Sequence, residues 1–512
     1  MEAHDAAVRS IAAQVKTFHE AQKPFRIYHG STNSTRTSQR RADNTIDTSR
    51  LNHVLSVNKT AMTALVEPNV PMDGLVDATL RHGLIPPVVM EFPGITVGGG
   101  FSGTSGESSS FRYGAFDATF DSIEIVLADG RVARASRTEK RDLFWGAASA
   151  FGTLGVVTLL ELRLRPAKRY VALRYELSRG AEASVRRMRE QCDTPANDFV
   201  DGIALDAGAT LICTGRLTDE LPAGREPRRF TRASDPWFYT RAREVRRQLE
   251  GEGAAGAHVV DYVPLTDYLF RYDRGGFWVG KYSFAYFCVP FNRLTRRLLD
   301  GFMRARVMYR AVHRSGLADA YMVQDVGVPF ARAAEFQAWL DGALAIYPLW
   351  LCPLRVRRDD RDAGHGLHSG FCDPDAPDLV NFGVWGPLRR CPRRRQVVEA
   401  NRALETKVRE LAGKKWLYAH AYYTEDEFWA HYDRASYDAL RAKYAASYLP
   451  SVYDKVRVDV DAEEAARRRN WRTRARGLLG DIWPLRGLKG FWAAARGGDY
   501  LMERKKMPDT DE

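Results

Sequence analysis

Hydrophobic and polar positions in the first third of the chain alternate in short blocks, which predict strands with one early helix. Phe25-Arg26-Ile27-Tyr28 is an apolar stub running into a turn-forming stretch, His29-Gly30-Ser31-Thr32-Asn33-Ser34. Asn44–Leu51 ends a second short strand and Thr63–Glu67, before Pro68, is a third. Val70–Gly83 predicts an amphipathic helix, because Leu75, Val76, Thr79 and Leu80 fall at helical spacing. Asp121–Leu127, Asp129-Gly130 and Val132 read as strand, tight turn and strand. Asp142–Gly146 then leads to Phe151-Gly152-Thr153-Leu154-Gly155-Val156-Val157, and Glu161–Leu164 closes the unit. A second region opens with the strand Arg169–Tyr175 and a helix around Val185–Gln191. It continues through aromatic-rich segments at Asp261–Leu265 and Phe277–Pro290 and a polar loop at Asp359–Gly366. The pattern is that of an α+β protein without internal repeats.

A chain of 512 residues exceeds a single core and implies two domains. The expected division is a polar leader, 1–24; a first domain, 25–168; a mixed α/β second domain, 169–456; and a tail, 457–512. The leader reads as a short helix, with Ile11, Ala12, Val15 and Phe18 among polar residues. The six cysteines are scattered without a CxxC pair, so neither a disulfide framework nor a metal site is expected, and a reducing compartment is. Neither a signal peptide nor an apolar run of eighteen residues is seen.

Charge adds one feature. The formal net charge is +12, and Arg467–Arg476 concentrates basic residues around Trp471 ahead of Leu478, Leu479, Ile482, Trp483, Leu485, Leu488, Phe491 and Trp492. Cations interleaved with tryptophan suit a membrane interface; packing of the same aromatics on the protein body is the alternative. Nucleic-acid binding is not expected, since no RNA- or DNA-binding module is legible.

The candidate chemistry lies in Gly94-Ile95-Thr96-Val97-Gly98-Gly99-Gly100-Phe101-Ser102-Gly103-Thr104-Ser105-Gly106. Six glycines in thirteen residues let backbone pass closely against a flat or charged ligand. Gly98-x-Gly100-x-x-Gly103 matches the dinucleotide fingerprint literally, but the following Ser108–Gly114 is too polar and glycine-broken to open the helix that fingerprint needs. A different nucleotide fold is expected.

The order of elements, the early turn, the Pro93–Gly99 loop, Tyr113-Gly114 and Phe151–Val157 resemble the FAD-binding domain of the vanillyl-alcohol-oxidase (PCMH-type) flavoproteins. Val323–Pro329, Tyr347–Leu354, Tyr418–Trp429, Tyr437–Arg441 and Pro450–Val456 narrow this, because they are similar to the Δ24-sterol reductase family. The resemblance runs from about Phe25 to about Val456. It implies a PCMH-type FAD-binding domain with a substrate (cap) domain, and reduction of an isolated carbon–carbon double bond with hydride from NADPH through FAD. It implies a sterol or isoprenoid substrate. The basic, tryptophan-containing tail is expected to give peripheral attachment to the cytosolic face of the endoplasmic reticulum or another intracellular membrane, with a cytoplasmic location as the alternative. Better-known members carry an N-terminal membrane segment, from which the polar leader departs.

The resemblance also places residues. Gly30, Ser31, Thr32, Asn33 and Ser34 are expected at the pyrophosphate, and Ile95, Thr96, Gly98, Gly99, Gly103 and Thr104 at the isoalloxazine or phosphates. Gly152, Thr153, Gly155 and Val157 are expected on the adenosine side. FAD is expected to be non-covalent, since His29 precedes the turn where the broader class attaches flavin. Lys455 is a candidate for the anionic flavin edge. An unconjugated alkene has no electron sink, so an acid must stand close to it in a dry pocket. His420, Tyr422, Tyr423 and Glu425, placed on an expected strand, and Asp325, at the end of an apolar strand, are the candidates. The alternatives are an oxidase or dehydrogenase of the same fold acting on an alcohol, sugar lactone or hydroxy acid, and a sterol-binding protein without turnover.

Overall fold

The computed structural model describes residues 1–29, 42–252, 256–315, 321–358, 360–373, 375–388, 394–462 and 485–497. The expected pyrophosphate turn, Gly30, Ser31, Thr32, Asn33 and Ser34, lies outside the described residues, as does the basic stretch Arg467–Arg476.

The first domain is built on small sheets. Strands β1 (Arg26–Tyr28) and β2 (Thr45–Asp47) pair in parallel. Strands β3 (Val54–Asn58), β4 (Thr63–Val66), β6 (Phe120–Leu127), β7 (Val132–Ser136) and β8 (Gly155–Arg163) form an antiparallel sheet in the order β3-β4-β8-β6-β7. The Asp129-Gly130 turn closes β6 on β7, with Gly130 at φ +89°. A third pairing, β5 (Leu84–Ile85) with β9 (Arg165–Pro166), ties down the segment before the glycine loop.

The leader is a helix, Glu2–Glu20, whose Val8, Ile11 and Val15 are buried in the same core as the sheet. His4 is buried between two carboxylates, Nδ1 at 2.8 Å from Glu67 Oε1 and Nε2 at 3.1 Å from Glu124 Oε1. A Cβ on Gly130 would stand 2.8 Å from the Ala12 carbonyl, so the bare turn is what lets the helix lie close. The leader thus packs on this sheet rather than standing apart from it.

The second domain is an eight-stranded antiparallel sheet: β10 (Tyr170–Arg179), β11 (Phe199–Asp206), β12 (Ala209–Thr218), β13 (His258–Pro264), β14 (Tyr321–Pro329), β15 (Leu349–Leu354), β16 (Leu379–Pro387) and β17 (Lys414–Lys415), ordered β13-β10-β12-β11-β15-β16-β14-β17. Alternation of side chains across the sheet separates two environments. Leu349, Leu351, Val380, Phe382, Val384, Met322 and Val326 join the helices Ala181–Cys192 and Phe330–Ala343 in a core of their own. The intervening residues Val323, Asp325, Trp350, Leu354, Asn381 and Trp385 face the first domain and line the cavity between the two.

Three expectations shift. The predicted Val70–Gly83 helix is shorter, Met72–Leu80, because the preceding Pro71 sits at the N-cap and Gly83 takes φ +71°. The glycine loop contains a short helix, Val97–Gly103, capped by Thr96, whose hydroxyl accepts from the Gly99 N–H at 3.2 Å; Ser110–Tyr113 adds one further helical turn, ended by Gly114 at φ +79°. The strand expected to carry His420, Tyr422 and Tyr423 is absent: that segment is irregular, apart from one bridge between Ala421 and Arg457. Its backbone polar groups are instead met by side chains: Glu405 accepts from the Tyr422 N–H and Gln324 donates to the His420 carbonyl.

Candidate active site

The cavity measures about 410 Å³. One end is walled by backbone and bears cations. Arg26, Ile27, His29, Phe151, Gly152, Gly155, Val157 and Lys455 line it, and the Lys455 ammonium donates to the Phe151 carbonyl. Ile95, Thr96, Gly98 and Gly99 continue this wall. The glycines are needed here: a Cβ on Gly98 would stand 2.7 Å from the Pro68 ring, and one on Gly155 (φ +152°) 2.4 Å from the Val126 carbonyl oxygen.

The other end is aromatic. Phe277 packs against Trp385 at 4.2 Å, Trp350 at 5.3 Å and Phe92 at 5.7 Å between ring centres. Tyr309, Trp416 and Tyr418 complete the lining. Gly383 lies opposite both Asp325 and Trp350 in the sheet. A Cβ there would stand 2.9 Å from the Trp385 ring, so the gap is what admits the indole. Trp416 closes the two walls together, its indole N–H donating to the Thr104 carbonyl at 2.8 Å.

Asp325 sits in this aromatic wall. Its carboxylate accepts from the Trp385 indole N–H at 3.0 Å and the Asn381 amide at 3.2 Å, and interacts with the Tyr418 hydroxyl. Burial pushes its pKa up to about 6, against the pull of those donors and of Lys415. A second acidic residue, Glu91, lines the same cavity between buried Met90 and Phe92. Burial first, then the nearby Glu107 and Asp325 carboxylates, raise it to about 8. Tyr309 and Tyr418 are pushed up from the ordinary phenol range, chiefly by burial. Burial and the neighbouring carboxylates thus make Glu91 hold its proton more tightly than Asp325 does.

The remaining expected residues fall around this cavity rather than on it. Gly103 and Thr104 stand just behind the wall, Thr104 in a left-handed conformation ending the short helix. Thr153 is buried and turned away, accepting a 2.7 Å hydrogen bond from Tyr437. His420, Tyr422 and Tyr423 do not line the cavity. Tyr423 stacks on His431 in a small core with Phe428 and Tyr453, and Tyr422 lies near Arg394 and Glu405. Glu425 is exposed in the first turn of the helix Glu425–His431. Glu91, Tyr309, Asn381, Trp385 and Tyr418 were not singled out in the sequence. Their one local signal is Glu91, a lone carboxylate inside the apolar run Pro86–Pro93.

A basic end, a glycine-rich wall and an apolar recess fit a dinucleotide carrying a flat ring; Arg26, His29 and Lys455 would be the residues to hold its phosphate or ring oxygens, and the glycine wall would take the ring system. Fold and site together define an FAD-binding α+β protein of the PCMH type, and residues 6–136 match the family model described as "FAD binding domain". The protein is 30% identical to the Delta(24)-sterol reductase of Homo sapiens over 79% of its own length and 76% of the relative's. It is 28% identical to that of Arabidopsis thaliana (82% and 78%) and 26% identical to the Delta(24)-sterol reductase homolog of Caenorhabditis elegans (80% and 78%). It belongs to the Delta(24)-sterol reductase family.

Proposed function

We propose that this protein is an FAD-dependent oxidoreductase that reduces the Δ24 side-chain double bond of a sterol or related isoprenoid, with NADPH as the hydride source. The observation that carries this reading is a glycine-rich wall facing an aromatic recess in one cavity that also holds two carboxyl groups with different proton affinities. Bound FAD supplies hydride. The protein's own residues supply the rest: the aromatic wall excludes water and holds a branched apolar group. The acid groups deliver a proton to the less substituted alkene carbon, leaving positive charge on the tertiary carbon that receives the hydride. The ionised Asp325 and the faces of Phe277, Trp350 and Trp385 favour that charge in a low-dielectric setting.

The test is an absorbance spectrum of the purified protein under anaerobic conditions, followed by NADPH and then by desmosterol. A flavin band that bleaches with NADPH and returns with the sterol supports the reading. A flavin that ignores NADPH, or recovers only with oxygen, favours an oxidase or dehydrogenase.

We also propose peripheral attachment to the cytosolic face of an intracellular membrane. Among the described residues, no helix is long and apolar enough to cross a membrane. The helix Leu485–Gly497 exposes Leu488, Phe491 and Trp492 beside Lys489 and Arg496. It packs on the helix Ala305–Ser315, whose Ala305, Met308 and Tyr309 line the cavity. Deleting the tail after Val456 should weaken binding to anionic vesicles at low salt; unchanged binding would discard this attachment.

A further inference from the structure

Two carboxyl groups share the cavity, and their surroundings differ. Asp325 is anchored: Trp385, Asn381 and Tyr418 direct donors at it from β16 and from the segment after β17. Those donors satisfy an anion and leave no use for a proton on it. Glu91 lies on the opposite, first-domain side, where its backbone is fixed by buried Met90 and Phe92 and by the bond from the Ile95 N–H to the Phe92 carbonyl at 3.1 Å. The residue lines the cavity that Asp325 also lines. The groups that face it are Asp325 from β14, Tyr309 from the helix Ala305–Ser315, Tyr418, and, from behind, Glu107 with Arg271. Neighbouring carboxylates oppose ionisation of Glu91, and the one cation among these groups, Arg271, is held by Asp201 at 2.8 Å. This is the arrangement that keeps one acid protonated beside one anion.

We propose that Glu91 is the catalytic acid that protonates the alkene, and that Asp325 is the fixed anion that steadies the positive charge formed on the neighbouring carbon. In the step, the Glu91 O–H bond breaks and the alkene π pair forms a C–H bond at the less substituted carbon. The tertiary carbon then accepts hydride, with its electron pair, from the reduced flavin. The products are the saturated substrate, oxidised flavin and the Glu91 carboxylate, which regains its proton from solvent between turnovers. The assignment rests on the sterol-reductase reading above. It goes beyond it by naming the proton source, and it places that source on the first domain, away from the Tyr418–Glu425 segment from which most of the acid candidates came.

The experiment uses full-length holoprotein reduced with dithionite, so that the nicotinamide question does not enter, and mixed with desmosterol. In wild type, flavin reoxidation should have a bell-shaped pH profile, falling below about 6 as Asp325 takes a proton and above about 8 as Glu91 loses one. Glu91→Gln should keep its flavin and its reduction by dithionite while reoxidation slows about 10²-fold or more, and Glu91→Asp should recover part of the rate. A second readout needs no turnover. Infrared difference spectra between neutral and alkaline pH should show a protonated carboxyl band in wild type that Glu91→Gln lacks. Wild-type reoxidation rates in Glu91→Gln, or an unchanged carboxyl band, would overturn the assignment and leave the reductase reading standing. Failure of the wild type itself to be reoxidised by the sterol would overturn the reductase reading and the assignment with it.

Discussion

One side of the cavity is lined by the glycine-rich segments Gly94–Gly99 and Gly152–Gly155, with Ile27, Glu91 and Phe151 beside them; the other is lined by the rings of Trp350 on β15, Trp385 on β16, Phe277 and Trp416. The first wall gets its shape from missing side chains: an added carbon would press on Pro68 at Gly98, on Ile27 at Gly152 and on the Val126 carbonyl at Gly155. The second gets its shape from large side chains projected by strand alternation, with one glycine, Gly383, making room. A backbone wall is stiff and indifferent to sequence except at its glycines, which suits a cofactor that every turnover must meet in the same pose. A wall of side chains can be reshaped residue by residue, which suits a substrate.

The sharpest way to break this contrast is at Gly155. Its φ of +152° disfavours any L residue, and a Cβ would stand 2.4 Å from the Val126 carbonyl oxygen in the β6–β8 ladder. Gly155→Ala should cost about 2–4 kcal/mol and release flavin, seen as a lowered denaturation midpoint and a lost visible band. An alanine variant that keeps both would show that the wall is not set by backbone closeness.

Asp325→Asn probes the other wall with a smaller structural cost. The amide can accept from either Trp385 or Asn381 but presents its own N–H to the remaining donor. Stability should fall by about 1–3 kcal/mol, flavin should stay bound, and sterol-dependent flavin reoxidation should drop about 10²-fold. Retained reoxidation would remove the anion from the mechanism.

Glu91 gives a contrast that depends on pH. Its pKa in the folded protein is raised from 4.5 to about 8, so the folded state holds the proton more tightly than the unfolded state does. The stability it contributes is present at low pH and is lost as pH rises from above 4.5 toward 8, at no more than about 1.4 kcal/mol per pH unit. Glu91→Gln removes that loss, so its denaturation midpoint should gain on wild type between pH 5 and pH 9. A constant difference across that range would mean that Glu91 ionises freely in the folded protein.

The two walls also differ in how legible they were. Thr96, Gly98, Gly99, Gly152 and Gly155 stand in short glycine-rich runs, where the residue type itself states a backbone requirement. The aromatic wall draws on Phe92, Phe277, Trp350, Trp385 and Trp416, spread over more than three hundred positions. A tryptophan in a strand looks the same whether it faces a cavity or a core, and only the sheet order decides. Asp325 was readable because a carboxylate in an apolar strand is costly to bury without purpose. Glu91 carried the same signal, overshadowed by the glycines that follow it. In the Tyr418–Glu425 segment strand alternation does not hold because the backbone is irregular, so that Tyr418 and Ala419 line the cavity while His420, Tyr422, Tyr423 and Glu425 do not.

The smallest expected effects lie in that segment. Tyr423 is buried among Phe428, His431 and Tyr453, and its hydroxyl has no hydrogen-bond partner among the described residues. Removing a buried, unpaired hydroxyl while keeping the ring leaves packing intact, so Tyr423→Phe should be neutral or stabilising within about 1 kcal/mol. His420 touches the eight-stranded sheet through its backbone carbonyl, which accepts from Gln324 at 3.2 Å, and Tyr422 touches the helix Arg394–Glu410, its N–H donating to Glu405 and its carbonyl accepting from Arg402. Those backbone bonds survive substitution. His420→Gln and Tyr422→Phe should therefore keep flavin content and sterol-dependent reoxidation within about twofold of wild type, less than about 0.5 kcal/mol of barrier. A hundredfold loss in any of the three would move the acid back to this segment and make its distance from the cavity a property of the ligand-free conformation alone.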